Sequence, residues 1–305
     1  MKSADSRILM YHRVADGVDD PFKLCVSPDK FAAHLDVIAR VGEPSTLDQL
    51  GLPSLRPRIV VTFDDGYADN LINEVPIAEA KGVPITIFVT SGVVGNDKGF
   101  WWDRLDTLIR SRPSAIRDVT LATSEGTVQI DIGASSKKQA CQSVRRHLLS
   151  LRVTEIHHIL DAIAEQWGVS ALPPPDARPL TLSELGQLAS SRAVTIGAHT
   201  VDHIRLRGFE AAEQQATISS SKQQLEQLTG QIISHFAYPY GDADAFDKHS
   251  VDAVHAAGFQ TACTTIGGNA NSASDPLRLP RRMVKNWSRP RFRATLERWR
   301  LVPGG

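Results

Sequence analysis

The chain of 305 residues has no hydrophobic run approaching the roughly 18 residues that a membrane-spanning helix needs. Its first residues, Met1-Lys2-Ser3-Ala4-Asp5-Ser6-Arg7, lack the apolar stretch of a secretory signal. A cytoplasmic location without a transmembrane segment is therefore expected. Cysteine is scarce. Cys25, Cys141 and Cys263 are odd in number and scattered, which argues for reduced thiols rather than a disulfide framework or a cysteine-zinc cluster. Neither sign of charge is in excess, with Lys+Arg and Asp+Glu at 34 each, so no overall field points to nucleic acid or an acidic membrane. Internal repeats at the roughly 20–50-residue periods of solenoids are also absent. What remains is ordinary globular composition, 42% hydrophobic and 22% charged. The length suits one large α/β domain or two medium ones.

What is there is organised around Ile59-Val60-Val61-Thr62-Phe63-Asp64-Asp65-Gly66-Tyr67. Apolar and β-branched residues on consecutive positions need cover on both faces, so the run reads as a buried strand. Two carboxylates stand at its end, which in barrels and open α/β sheets is where active sites collect. Adjacent acids at low dielectric need a cation or proton between them. The same residues also fit a plain Asx-type turn after a strand.

Around this stretch the chain alternates between strand and helix, the pattern of a parallel sheet. Ile8–His12 reads as a strand. Ser27-Pro28 opens a helix through Phe31, Leu35 and Ile38, and Thr46–Gln49 is a short helix with a capping box. A helix over 68–81 and a strand over Val83–Val89 follow. Residues 96–180 break the rhythm. They read as a helix over Trp101–Ile109, a hairpin over Val119–Ile132 turning at Ser124-Glu125-Gly126-Thr127, amphipathic helices over Lys137–Leu149 and Thr154–Trp167, and a stiff Pro173-Pro174-Pro175 spacer. This segment of about 85 residues is expected to be an insertion on a loop. The alternation then resumes: a capping box at Thr181–Glu184, strands over Val194–Ala198, Ile232–Tyr238 and Phe259–Thr264, and helices over Glu210–Leu228, Asp247–Ala257 and Pro290–Trp299.

Strand Val194–Ala198 runs into His199-Thr200-Val201-Asp202-His203. Two histidines four apart on a helical turn share a face and can bind one metal. Ten histidines in the chain produce that spacing often by chance, and a surface turn with two solvated imidazoles also fits. Its place at a strand end, like that of the acids, favours the metal. Two histidines and a carboxylate form a common catalytic set for a divalent ion with an open position for water. At a third strand end, Phe236-Ala237-Tyr238-Pro239-Tyr240-Gly241-Asp242 is a tight turn able to aim a backbone N–H at a reacting oxygen. Trp101-Trp102 fits either a sugar or lipid contact or, more simply, the core of a small helical unit.

Taken together, Thr62-Phe63-Asp64-Asp65-Gly66-Tyr67, His199-Thr200-Val201-Asp202-His203 and Tyr238-Pro239-Tyr240-Gly241 resemble the polysaccharide deacetylases, carbohydrate esterase family 4, over about residues 7–95 and 181–285. The resemblance implies one distorted (β/α) barrel of about seven strands across 1–305, with the mainly helical segment 96–180 inserted in it. It implies a metal-dependent hydrolase removing an acetyl group from a sugar. Asp65, His199 and His203 would hold the metal, zinc first with cobalt or nickel as alternatives. Asp64 would be the general base, and the Tyr240 backbone N–H, after Pro239, would face the oxyanion. Two departures stand out. Ala237 occupies the place of the family's base-orienting arginine, and Arg281 in Leu279-Pro280-Arg281-Arg282 is the candidate to replace it. The family's C-terminal acid histidine is missing, since no histidine follows His255. His12 in Tyr11-His12-Arg13-Val14 matches the branch that carries this histidine at the N-terminal end. A core histidine at a strand end is the other reading of His12.

The expected substrate is an N-acetylated sugar of a polysaccharide or glycolipid precursor, lipid linkage included. Alternatives are a non-sugar amide hydrolase on the same site, or a non-catalytic carbohydrate-binding protein on a degenerate barrel. Oligomeric state is not legible.

Overall fold

Arg58–Phe63 is a fully buried strand, as six consecutive residues with few polar groups require. The computed structural model describes residues 6–16, 20, 22–50, 52–124 and 126–299. Residues 1–5, which carry most of the N-terminal reading, and Glu125 of the hairpin turn lie outside that set. We number the barrel strands in chain order: β1 Arg7–Tyr11, β2 Arg58–Phe63, β3 Ile85–Val89, β4 Val194–Ala198, β5 His235–Ala237, β6 Thr261–Cys263 and β7 Arg282–Met283. Across the sheet they run β6-β5-β4-β3-β2-β1-β7, all parallel. The sheet curls into a distorted (β/α) half-barrel of seven parallel strands. Leu279 bridges Cys263 of β6, while Arg282 and Met283 pair with Leu9 and Met10 of β1. The segment 279–283 therefore crosses the gap between the two ends of the sheet. A short strand, Glu43–Ser45, pairs with residues 58–60 of β2.

Alternation within the strands sorts the side chains. Ile8, Val60, Phe88, Ala237 and Cys263 meet in one cluster with Leu47, Ala270 and Leu279. Gly197 is required here by close approach, because a Cβ would sit 2.4 Å from the Phe88 ring.

Two expectations shift. Residues 68–81 do not form one regular helix. Asn70–Glu74 is a wide π turn leading into an α-helix over Val75–Lys81. Pro76 has no N–H for the carbonyl four residues back, and the Val75 N–H reaches Asn70 O instead. Three strands are also shorter than expected. At β3 the reason is visible: Val83 N–H bonds Ala78 O beyond the left-handed Gly82, so Val83 belongs to the helix end.

The chain divides into two compact units, 1–94 with 180–305, and 95–179. The second contains helices Trp101–Ser111, Lys137–Leu148 and Val153–Trp167 and the hairpin Asp118–Thr123 with Gly126–Asp131. Trp101 and Trp102 are both buried, the packing alternative of the two readings. The cysteines form no disulfide. Among the described residues no helix is long and apolar enough to cross a membrane.

His34, on the helix Pro28–Val41, is fully buried. Its Nε2 lies 2.9 Å from the Trp287 carbonyl and so carries the proton, while Nδ1 faces the Tyr11 hydroxyl at 3.3 Å. Burial lowers its pKa to about 4. The unfolded chain therefore takes up this proton near pH 6.5 and the folded chain only near 4, so stability falls as pH drops through that window. Urea unfolding of His34→Gln should remove on the order of 2–3 kcal/mol of that pH dependence. An unchanged pH slope would contradict this role.

Candidate active site

β1 and β2 pair in register, Tyr11 opposite Phe63, and the Asp64 N–H continues the ladder to Tyr11 O at 3.1 Å. His12 and Asp64 therefore leave neighbouring strands side by side, and His12 lies within electrostatic reach of both Asp64 and Asp65. β4 ends at Ala198, beside β3 and β5, which brings His199 and His203 to the same rim. Tyr238 N–H bonds Cys263 O, and the Pro239-Tyr240-Gly241 turn follows.

The two acids separate at the strand end. Asp64 accepts a bidentate pair from Arg281, Nη1 to Oδ1 and Nη2 to Oδ2, both at 2.7 Å. Arg281 is fully buried and donates further to Thr62 Oγ1 at 3.1 Å and Thr264 O at 2.9 Å. Burial by itself would raise the Asp64 carboxyl. The guanidinium, with His199, outweighs burial and holds it at about 2. The guanidinium carbon also lies 5.4 Å from the centre of the Phe88 ring, and Phe88 shares a cluster with Ala237. Arg281 thus occupies interior space beside the position where the family pattern has its arginine.

Asp65 faces the histidines. Its Oδ1 lies 3.3 Å from His203 Nε2 and 3.7 Å from His199 Nε2, and the three donor atoms lie within 4.8 Å of one another. His199 Nδ1 donates to Ala237 O at 2.7 Å, so its Nε2 lone pair is turned toward the carboxylate, the usual support for a metal-binding imidazole. Asp65 Oδ1 is buried and has no hydrogen bond among the described residues. A buried anion against an imidazole lone pair is repulsive without a cation, and one oxygen with two nitrogens is a donor set that suits a borderline divalent ion. The residues therefore fit a metal. Burial lowers the His199 pKa to about 4, which keeps the imidazole neutral as a ligand must be.

The helical reading of His199–His203 does not hold. The segment is a turn with Thr200 at φ +63° and His203 at φ +57°, closed by His203 N–H to Thr200 Oγ1 at 3.0 Å. Asp65 at φ +79° and Tyr240 at φ +60° are left-handed too. Four of the five described non-glycine residues with positive φ therefore stand at this rim, where stored strain commonly marks function. Tyr240 packs its ring against His203, centroids 4.7 Å apart. Spacing reveals none of this strain, since left-handed backbone at a non-glycine residue has no sequence signature.

A sequence model of the family described as Polysaccharide deacetylase matches residues 135–262. The Bacillus subtilis (strain 168) protein YxkH, which carries a polysaccharide deacetylase name, is 21% identical over 277 residues, 88% of this chain and 68% of that protein. Over these stretches the chain is similar to the polysaccharide deacetylases. Its fold is also that of solved deacetylase structures. Streptococcus pyogenes deacetylase PplD in complex with acetate superposes with a TM-score of 0.62 at 18% identity, covering 97% of this chain and 98% of that one. IcaB from Ammonifex degensii gives 0.63 at 16%, with 99% of each chain covered.

Arg281→Leu should strand the Asp64 carboxylate and lower the stability of the protein by about 3–5 kcal/mol in urea unfolding. Arg281→Leu with Asp64→Leu should recover much of that. A loss below about 1 kcal/mol in the single variant would show that the pair does not hold the site together.

Proposed function

We propose that this protein removes the acetyl group of an N-acetylated sugar by metal-dependent hydrolysis, with Asp65, His199 and His203 as metal ligands. The observation that carries the reading is the meeting of those three donor atoms within 4.8 Å, beside a second carboxylate held ionised by Arg281. A bound divalent ion, zinc best suited, with cobalt or nickel alternatives, would lower the pKa of water and polarise the acetyl carbonyl.

The other steps belong to the chain. Asp64 accepts a proton from the attacking water as its oxygen adds to the acetyl carbon. Arg281 keeps that carboxylate ionised and fixes both its oxygens, so the base cannot rotate away. The Tyr240 N–H, on a turn held by Thr265 Oγ1 donating to Tyr240 O at 2.7 Å and Thr265 N–H to Gly241 O at 2.9 Å, faces the developing oxyanion after Pro239. His12 gives a proton to the leaving nitrogen as the C–N bond breaks, because an amine leaves poorly as its anion. The products are acetate and the free amino sugar. A glycan or glycolipid precursor is the substrate class, lipid linkage being compatible with it.

Acetate release from N-acetylglucosamine oligomers should require added zinc, cobalt or nickel after chelation. Asp64→Asn should retain one metal per chain and lose nearly all turnover. His12→Ala should lose roughly 10²–10⁴-fold. Unchanged acetate release by the chelated protein would overturn the metal-dependent reading, and wild-type turnover in His12→Ala would remove the acid role.

A further inference from the structure

Two buried polar side chains have no part in the steps above. Asn70 and Glu74 are fully buried and stand at the two ends of the wide turn after Tyr67. Asn70 Nδ2 donates to His12 O and to Glu74 Oε1, both at 3.0 Å. Glu74 Oε1 also accepts from the Val14 N–H at 2.8 Å. Asn73, in the same turn, donates to Val14 O at 2.7 Å. Arg13 pairs with Asp69 at 2.7 Å and lies over the Tyr67 ring. His12, Arg13 and Val14 are thus all held from one side by the segment 67–74.

The arrangement costs stability in two ways. A carboxyl and an amide are buried, which is unfavourable unless each is hydrogen-bonded. Glu74 Oε2, Asn70 Oδ1 and His12 Nδ1 are buried with no hydrogen-bond partner among the described residues. The helix also opens with a π turn, a form concentrated at functional sites. Apolar residues on a regular helix would serve stability better. What the turn supplies is position. β1 ends at Tyr11, so the barrel ladder stops one residue short of His12, and the Asn70 amide takes hold of the His12 carbonyl.

We propose that Asn70 and Glu74 are positioning residues for proton delivery to the leaving nitrogen, fixing the His12–Val14 backbone so that the His12 imidazole stands at the Asp64 side of the site. This rests on the reading of His12 as the acid. Arg13 and Val14 also pair with Cys25 and Val26, so His12 lies between two ladders and its carbonyl is held by Asn70; a reacting group misplaced by about 1 Å loses on the order of 10²-fold in rate.

The test compares two probes on the zinc-loaded full chain. An N-acetylglucosamine hexamer needs its leaving nitrogen protonated. 4-Nitrophenyl acetate does not, since nitrophenolate leaves as the anion. Asn70→Ala and Glu74→Leu should lower kcat on the hexamer about 10- to 100-fold, with KM within about twofold and ester hydrolysis within about threefold. Glu74→Gln keeps an acceptor for Val14 and Asn70 and should recover most of what Glu74→Leu loses. In a His12→Ala background Asn70→Ala should cost nothing further, because both changes remove the same step. The amide-to-ester ratio does not depend on the fraction of protein folded, and Asn70→Ser gives a milder variant for the same ratio. Equal losses on both probes, or losses that multiply with His12→Ala, would overturn the proposal while leaving the acid reading intact. Wild-type turnover of the hexamer by His12→Ala would overturn both, and is read from that variant alone.

Discussion

Two neighbouring carboxylates, both buried at the end of β2, cannot stay ionised at low dielectric unless each has its own positive partner. The fold is arranged around that constraint. Asp64 takes the Arg281 guanidinium, and Asp65 turns to His199 and His203, with which it forms a donor set that fits a cation. The left-handed backbone of Asp65 and of Gly66, φ +79° and +87°, accompanies this separation. Arg281 also lies on the segment 279–283 that crosses from β6 to β1. The contact that keeps Asp64 ionised therefore also ties down the stretch across the gap in the sheet.

The rim is where the molecule is least relaxed. Asp65, Thr200, His203 and Tyr240 all adopt a conformation that L residues avoid, at an expense of order 1–3 kcal/mol each. The interior beneath them is the opposite. Ile8, Val60, Phe88 and Cys263 are buried in a single cluster on short parallel strands, and hydrophobic burial there can offset the strain above it. Rigid strands hold loops that would not keep such geometry alone, and the candidate site residues sit on those loops.

The strand framework was legible because apolar runs such as Ile59–Phe63 need two-sided cover, and Val194–Ala198 was found with its observed limits. The acid and histidine motifs were legible as residue types at strand ends. Their meeting was not, since it depends on β4 lying beside β3. Arg281 stands 217 residues from Asp64. Only the absence of an arginine at Ala237 and the run Leu279–Arg282 drew attention to it, and its bidentate contact follows from β7 pairing with β1. The histidine turn was misread as helical because a four-residue spacing suits a helix equally well, and positive φ at Thr200 and His203 leaves no mark in the sequence. Asn70 and Glu74 passed unnoticed for a related reason. A polar pair four apart looks like a solvated helix face, and Pro76, which interrupts the hydrogen-bond ladder, lies beyond both.

The account depends on one cation held jointly by residues from β2 and β4. X-ray absorption of the zinc-loaded protein reads its ligands directly. Scattering from two imidazoles with the remaining ligands oxygen, losing one imidazole in His203→Ala, is the predicted result. Sulfur ligation, absence of imidazole scattering, or a spectrum unchanged in His203→Ala would contradict it.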